Sequence, residues 1–255
     1  MTEAEAELEQ PLISHLKELR DRLLKATIAI IVAFLSMVYF ANDLYQILSK
    51  PLLAHYPAGG TMIATDVTSP FIAPFKLTMV LAIFVAMPYV LAQFWGFVAP
   101  GLYQKEKRFA VPMLISSVLL FYSGVAFAYF VLFPLAFAFF TNAAPEGVTM
   151  MTDINSYLDF TLKLFFAFGV AFEIPIAIII MTSMGLTSVE KLREKRPYII
   201  VGVFVIGMLL TPPDVISQTV LAVPMWLLYE LGMLFSAIMV KPKVEATEAE
   251  NKNES

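Results

Sequence analysis

The sequence predicts an all-α, polytopic membrane protein: six transmembrane helices, several kinked by proline, forming a concave bundle with structured periplasmic loops. Three observations carry this. Hydrophobic residues make up 59% of the 255 and charged residues only 15%, where soluble domains carry about 25% charge. The apolar residues come in long uncharged blocks, and runs of about 18 or more read as bilayer spans. Lys and Arg collect in alternate gaps between the blocks, the asymmetry that sets membrane orientation.

Taken in chain order, residues 1-24 form a cytoplasmic N-terminal tail and amphipathic helix. Leu12, Leu16, Leu19 and Leu23 fall on one helical stripe with charges opposite, a pattern expected to lie along the cytoplasmic interface. Glu18 and Arg22 are four apart in the order that favours pairing. The spans are read at 25-44, 77-99, 110-134, 160-184, 197-211 and 216-239, within a transmembrane domain of 25-239. Residues 240-255 are acidic and expected as a disordered cytoplasmic tail. The first 24 residues lack a short apolar core and cleavage site, so the first span is expected to stay as an anchor.

Lys17, Arg20, Arg22 and Lys25 precede span 1; Lys105, Lys107 and Arg108 follow span 2; Lys191, Arg193, Lys195 and Arg196 follow span 4; and Lys241, Lys243 and Lys252 follow span 6. Only Lys50, Lys76 and Lys163 lie elsewhere. With an even number of spans, both termini are therefore expected in the cytoplasm. The loops 45-76 and 135-159 then face outward, and their Pro, Gly, Asn and Thr content predicts a structured cap.

Span 5 is short: Pro197 to Leu210 gives about 21 Å of helix against a hydrocarbon core of about 30 Å. Before the acid Glu230, span 6 offers only Val215 to Tyr229, and Thr211-Pro212-Pro213-Asp214 joins the two. A thinned membrane is the expected response. Pro88, Pro112, Pro134, Pro175 and Pro224 each remove one backbone hydrogen bond inside a span. Glu173 places a carboxylate at mid-membrane depth, where a charge costs about 2.5 to 3.5 kcal/mol on insertion scales, so it is a functional candidate by default. Phe94, Trp95 and Phe97 form an aromatic belt before a tight turn, and Glu106 is the acid among the bases that follow.

There is no cysteine, and His15 and His55 are too few for a metal cluster. No phosphate-cradling, zinc-protease or serine-hydrolase motif is present. The expectation is a non-enzyme with no cofactor, no metal and no nucleic-acid partner, drawing on binding energy, partner proteins or an ion gradient. A secondary transporter with Glu173 as proton carrier, or a scaffold for other membrane subunits, are the rival readings.

Five motifs then appear in order: Pro11-Leu-x-x-His-Leu-x-Glu-Leu-Arg-x-Arg-Leu23, Ser69-Pro-Phe71, Phe97-x-x-Pro-Gly-Leu-Tyr-x-x-Glu106, Phe168-Gly-x-x-Phe-Glu-x-Pro175 and Leu210-Thr-Pro-Pro-Asp214. Together, over about residues 10 to 240, they resemble the TatC family of twin-arginine (Sec-independent) protein translocases, enterobacterial type. The resemblance implies a receptor in the bacterial inner membrane that binds twin-arginine signal peptides of folded proteins with TatB and recruits TatA, driven by the proton-motive force. It implies signal-peptide binding by Glu106, Glu18, Leu12, Arg20, Phe97 and Leu102, and a TatB or TatA helix received at Met208, Thr211 and Gln218. It also implies functionally sensitive periplasmic loops at Pro51 and Asp214, contact with membrane lipid and a homo-oligomer within a TatBC complex.

Overall fold

In the computed structural model the described residues are 3–53, 63–98, 110–143, 151–211 and 214–239. Helices account for nearly all of them: α1 Glu3–Met37, α2 Ala41–Leu53, α3 Ser69–Val98, α4 Ala110–Phe127, α5 Phe133–Ala143, α6 Ile154–Ala171, α7 Ile174–Ser183, α8 Val189–Glu194, α9 Arg196–Leu210 and α10 Val215–Met239. A 3-10 turn, Val38–Phe40, joins α1 to α2, and a π-helical turn, Ala128–Leu132, joins α4 to α5. The fold is all-α. Five helical segments are long and apolar enough to cross a membrane, Ser14–Leu48, Ser69–Val98, Val111–Phe139, Ile154–Ser183 and Val215–Met239, and α9 is a shorter apolar helix. At 15 residues α9 is about 22 Å long.

Both faces of the helices are apolar, and the buried one adds small and hydroxyl residues. Along α10 the buried face holds Ser217, Ala222, Gly232 and Ser236 beside Leu221, Met225, Leu228 and Met233, while Val223, Leu227, Leu231, Leu234 and Ile238 are exposed. Lipid is as apolar as leucine, so small residues and hydrogen bonds, which bring backbones close, add to the packing of large side chains. Hydroxyls in these spans donate to the carbonyl one turn back: Thr27 to Leu23, Thr78 to Pro74, Thr182 to Ile178, Thr211 to Gly207 and Thr219 to Val215. Each removes a polar group from the apolar phase without a partner helix.

The chain divides into two compact units. In the first, α1 packs along α3, and Trp95 Nε1 donates to Ser117 Oγ at 3.1 Å, joining α3 to α4. The amphipathic segment is not a separate helix. α1 runs unbroken from Glu3, within the stretch read as tail and amphipathic helix, to Met37, about 52 Å. No Gly or Pro lies between Leu12 and Met37 to break it. Leu16 and Leu23 point outward, 63% and 65% exposed.

Also in this unit, residues 63–69 and 151–156 are sewn together. Ile63 N donates to Thr152 O and Ile154 N to Ile63 O, at 3.1 and 3.0 Å. Asp153 gathers the loop onto the start of α6: Thr65 donates to Oδ1 through N and Oγ1, at 3.1 and 2.9 Å, while Asn155 N and Ser156 N donate to Oδ2 at 3.2 and 3.1 Å. Those bonds, the Thr65 backbone bond first, hold the Asp153 carboxyl down at about 2. Asn155 Nδ2 donates to Ser69 Oγ at 2.5 Å, and Lys76 pairs with Asp159.

In the second unit α4 and α6 meet at glycines. A Cβ on Gly124 would collide with the Phe168 carbonyl, and one on Gly169 would lie 2.6 Å from Phe121. Phe127, Phe168 and Phe172 fill the space beside them. Pro134 has no N–H to give Phe130, and the wide turn Ala128–Leu132 precedes it. The fourth apolar segment breaks at Phe172–Glu173, where Pro175 opens α7. α7 packs on α10 through Gly232, whose Cβ would meet Ile178 and Pro175, and through a 2.7 Å hydrogen bond between Thr182 and Ser236. Glu230 does not end the last helix: Arg196 Nη2 donates to its Oε2 at 2.5 Å, and α10 continues to Met239. Tyr229 Oη donates to Leu192 O at 2.8 Å, seating α8 on the same helix.

Candidate functional site

The corner between α1 and the last turns of α3 assembles groups from two of the five motifs. His15, Glu18 and Arg22 lie at i, i+3 and i+7 of α1, one helical face. His15 stacks on Phe97, ring centroids 4.3 Å apart and 19° from parallel. Arg22 lies against the backbone of Gly96, so closely that a Cβ there would collide with its guanidinium. Gly96 and Phe97 thus form a shelf under both side chains.

Glu18 stands between them. Arg22 Nε and Nη2 both donate to its Oε1, at 2.9 and 2.7 Å. Its Oε2 faces His15 Nδ1 at 3.9 Å, beyond hydrogen-bond reach. Glu18 keeps 36% of its side chain exposed and Arg22 28%. One carboxylate oxygen is therefore engaged twice and the other is open. Arg20, on the outer face, donates from Nε and Nη2 to Asp21, with 67% of its side chain exposed; it does not join Glu18. Leu12 lies in α1, but its side chain is outside the described residues, as are Leu102 and Glu106 altogether. Residue type and spacing marked Glu18, Arg22 and Phe97; the part played by His15 and Gly96 appears only when α3 is laid against α1.

A second constellation lies on the α9–α10 hairpin. Gly207 faces Gln218, whose backbone oxygen would be 3.4 Å from a Cβ at Gly207. Thr211 is buried and its hydroxyl is used on Gly207 O at 2.9 Å, so of the three expected partner-binding residues Met208 is the outward one, 50% exposed, with Gln218 half-buried. Asp214 caps α10, accepting from Ser217 N at 2.7 Å. On the face of α10 turned away from Gln218, an apolar groove of about 450 Å³ is lined by Val215, Ile216, Thr219, Val220, Val223 and Pro224. Pro51 lies in α2, its side chain outside the described residues. Glu173 stands half-buried at the α6–α7 break, with Oε1 shielded from solvent.

Fold and sites define a polytopic helical membrane protein whose distinctive features are helix faces and charge pairs. Among the described residues no group of three or more His, Cys, Asp or Glu gathers as a metal site would require. The family model TatC, described as Sec-independent protein translocase protein (TatC), matches residues 14–224. Relatives named Sec-independent protein translocase protein TatC include one from Azotobacter chroococcum, 60% identical over 233 residues, covering 91% of both chains. One from Haemophilus influenzae is 58% identical over 246 residues, covering 96% of both. One from Escherichia coli strain K12 is 60% identical over 231 residues, covering 91% of this chain and 90% of that one. A crystal structure described as the twin arginine translocase receptor TatC superposes with a TM-score of 0.80 at 38% identity, covering 88% of this chain and 98% of that one. The chain belongs to the TatC family, and is a membrane component of the Sec-independent protein translocase.

Proposed function

We propose that the chain is the receptor for twin-arginine signal peptides, set in the bacterial inner membrane with both termini in the cytoplasm. There it exports folded proteins with TatB and TatA at the expense of the proton-motive force. The observation that carries this reading is Glu18: a carboxylate held by its neighbours with one oxygen open, at the end of the chain's spans marked by Lys17, Arg20 and Lys25.

A guanidinium is planar, permanently charged and matched to carboxylates two donors at a time. One such pair at about 4 Å has a gross attraction of about 4 kcal/mol at an effective dielectric of about 20, much of it offset by desolvation. Adjacent arginines meeting two acids, Glu18 and Glu106, discriminate better than one. Phe97, with Leu12 and Leu102, supplies apolar surface for residues flanking the arginines, and Arg20 completes the surface. Met208, Thr211 and Gln218 receive an apolar partner helix, and short α9 thins the membrane beside it. Glu173 sits at the α6–α7 break and Asp214 caps α10; with Pro51 in α2 they are the further positions on which this reading depends.

The test is Glu106→Gln. Site-specific crosslinking of a twin-arginine signal peptide to the variant is expected to disappear while membrane insertion persists; unchanged crosslinking removes Glu106 from the site. Peptides carrying Arg-Arg and Lys-Lys separate the alternatives, since a solute carrier or a scaffold is indifferent to the difference.

A further inference from the structure

The acid that would receive a signal arginine already holds one. Arg22 directs two N–H groups at Oε1 of Glu18, at 2.9 and 2.7 Å, and its guanidinium is pressed onto the bare backbone of Gly96. We propose that Arg22 is a built-in competitor at this site: it is the resident occupant of Glu18, and a signal peptide enters by exchanging its own guanidinium for that of Arg22. The inference rests on the receptor reading above and deepens it.

Exchange costs every entrant the same release. Releasing Arg22 gives up two charge-assisted hydrogen bonds to one oxygen. An entering arginine restores both with the same planar fork, so the swap is nearly neutral. A lysine brings a strongly hydrated point charge that cannot reproduce the fork, so its exchange is unfavourable. The release of Arg22 is common to both cations, so it weakens both by the same factor and leaves the Arg-over-Lys ratio to the fit at Glu18. Arg22 is free to move because its guanidinium end lies on glycine and 28% of the side chain is exposed. The corner does not depend on it, since the His15–Phe97 stack also ties α1 to α3.

Two substitutions test this without removing Glu18. Arg22→Ala vacates the carboxylate. Gly96→Ala leaves the arginine in place but puts a methyl group where its guanidinium lies, dislodging the flexible end of a side chain and not backbone. The measurement is equilibrium binding of fluorescent signal peptides with Arg-Arg or Lys-Lys to the detergent-purified full chain, after thermal unfolding shows each variant folded. Arg-Arg and Lys-Lys peptides are both expected to bind about tenfold tighter to Arg22→Ala, the scale of one charge-assisted hydrogen bond, with their ratio unchanged. Gly96→Ala falls between Arg22→Ala and the parent. If folded Arg22→Ala binds the Arg-Arg peptide no more tightly than the parent, or loses binding to both peptides, the exchange is wrong and Arg22 is a strut. If the parent itself shows no preference for Arg-Arg over Lys-Lys, the receptor reading fails first.

Discussion

Arg196 and Glu230 tie the first turn of α9 to α10 by a hydrogen bond of 2.5 Å, leaving Arg196 Nε and Glu230 Oε1 buried without a partner. The pair lies 34 residues apart in sequence and closes the hairpin at the end away from Gly207 and Gln218. Removing one member strands the other's charge in a partly buried setting, which costs more than the intact pair contributes. Glu230→Ala is therefore expected to lower stability by about 1 to 3 kcal/mol, and Arg196→Leu with Glu230→Leu to recover most of it. Thermal unfolding in detergent of the two singles and the double reads this directly; a double variant as unstable as the sum of the singles contradicts it.

Glycine positions differ sharply in tolerance. Gly124 abuts the Phe168 carbonyl, which is backbone and cannot step aside, whereas Gly202 has nothing within 4 Å of its would-be Cβ. Gly124→Ala is expected to reduce folded yield and melting temperature by several degrees, the consequence of about 1 to 3 kcal/mol of overpacking. Gly202→Ala, in an open helical position, is expected to be neutral or slightly stabilising. Equal behaviour of the two variants would falsify the α4–α6 packing.

The stitched loops carry a pH dependence through Asp153. Its carboxyl is held at about 2 against an ordinary value of 3.8, so its contribution is fully present above pH 3.8 and is lost as pH falls toward 2. Hydrogen exchange at the Thr65 and Ser156 amides is expected to stay protected from pH 7 to pH 4. Asp153→Asn should expose both amides across that range, with the difference from the parent closing toward pH 2. Protection lost between pH 5 and 6 would mean that another group holds the loops.

On the hairpin, Thr211→Val with Gln218→Leu removes a hydroxyl already used on Gly207 and a half-buried amide. The amide carries the effect: an interhelical hydrogen bond in membranes contributes about 1 kcal/mol, so if TatB docks here as proposed, its copurification with the double variant is expected to fall several-fold. Recovery equal to the parent would place the partner helix elsewhere.

The apolar blocks were legible because a bilayer demands long uncharged helices whatever the tertiary contacts, and short α9 was legible for the same reason. Glu230 lay inside the span read at 216-239, which α10 matches; what stayed hidden was its partner, since only the fold brings Arg196 against it. The amphipathic pattern of α1 gives a face but no bend, which is why an interfacial segment and a rod continuous with the span looked alike. The Glu18–Arg22 spacing was readable as a local pair. What Arg22 rests on was not, because Gly96 is 74 positions away and a glycine in an aromatic belt signals nothing until another helix lies on it. The separation of 88 positions between Thr65 and Asp153 hid the loop stitching in the same way.

The most direct trial of the account is a photoreactive residue in place of Phe97, combined with Glu18→Gln, in membranes given a twin-arginine signal peptide. With Glu18 intact, crosslinks are expected to form with the Arg-Arg peptide and to fall sharply with Lys-Lys; with Glu18→Gln, both peptides should label weakly and alike. Equal, strong labelling by the Arg-Arg peptide with and without the Glu18 carboxylate would show that this acid does not receive the signal.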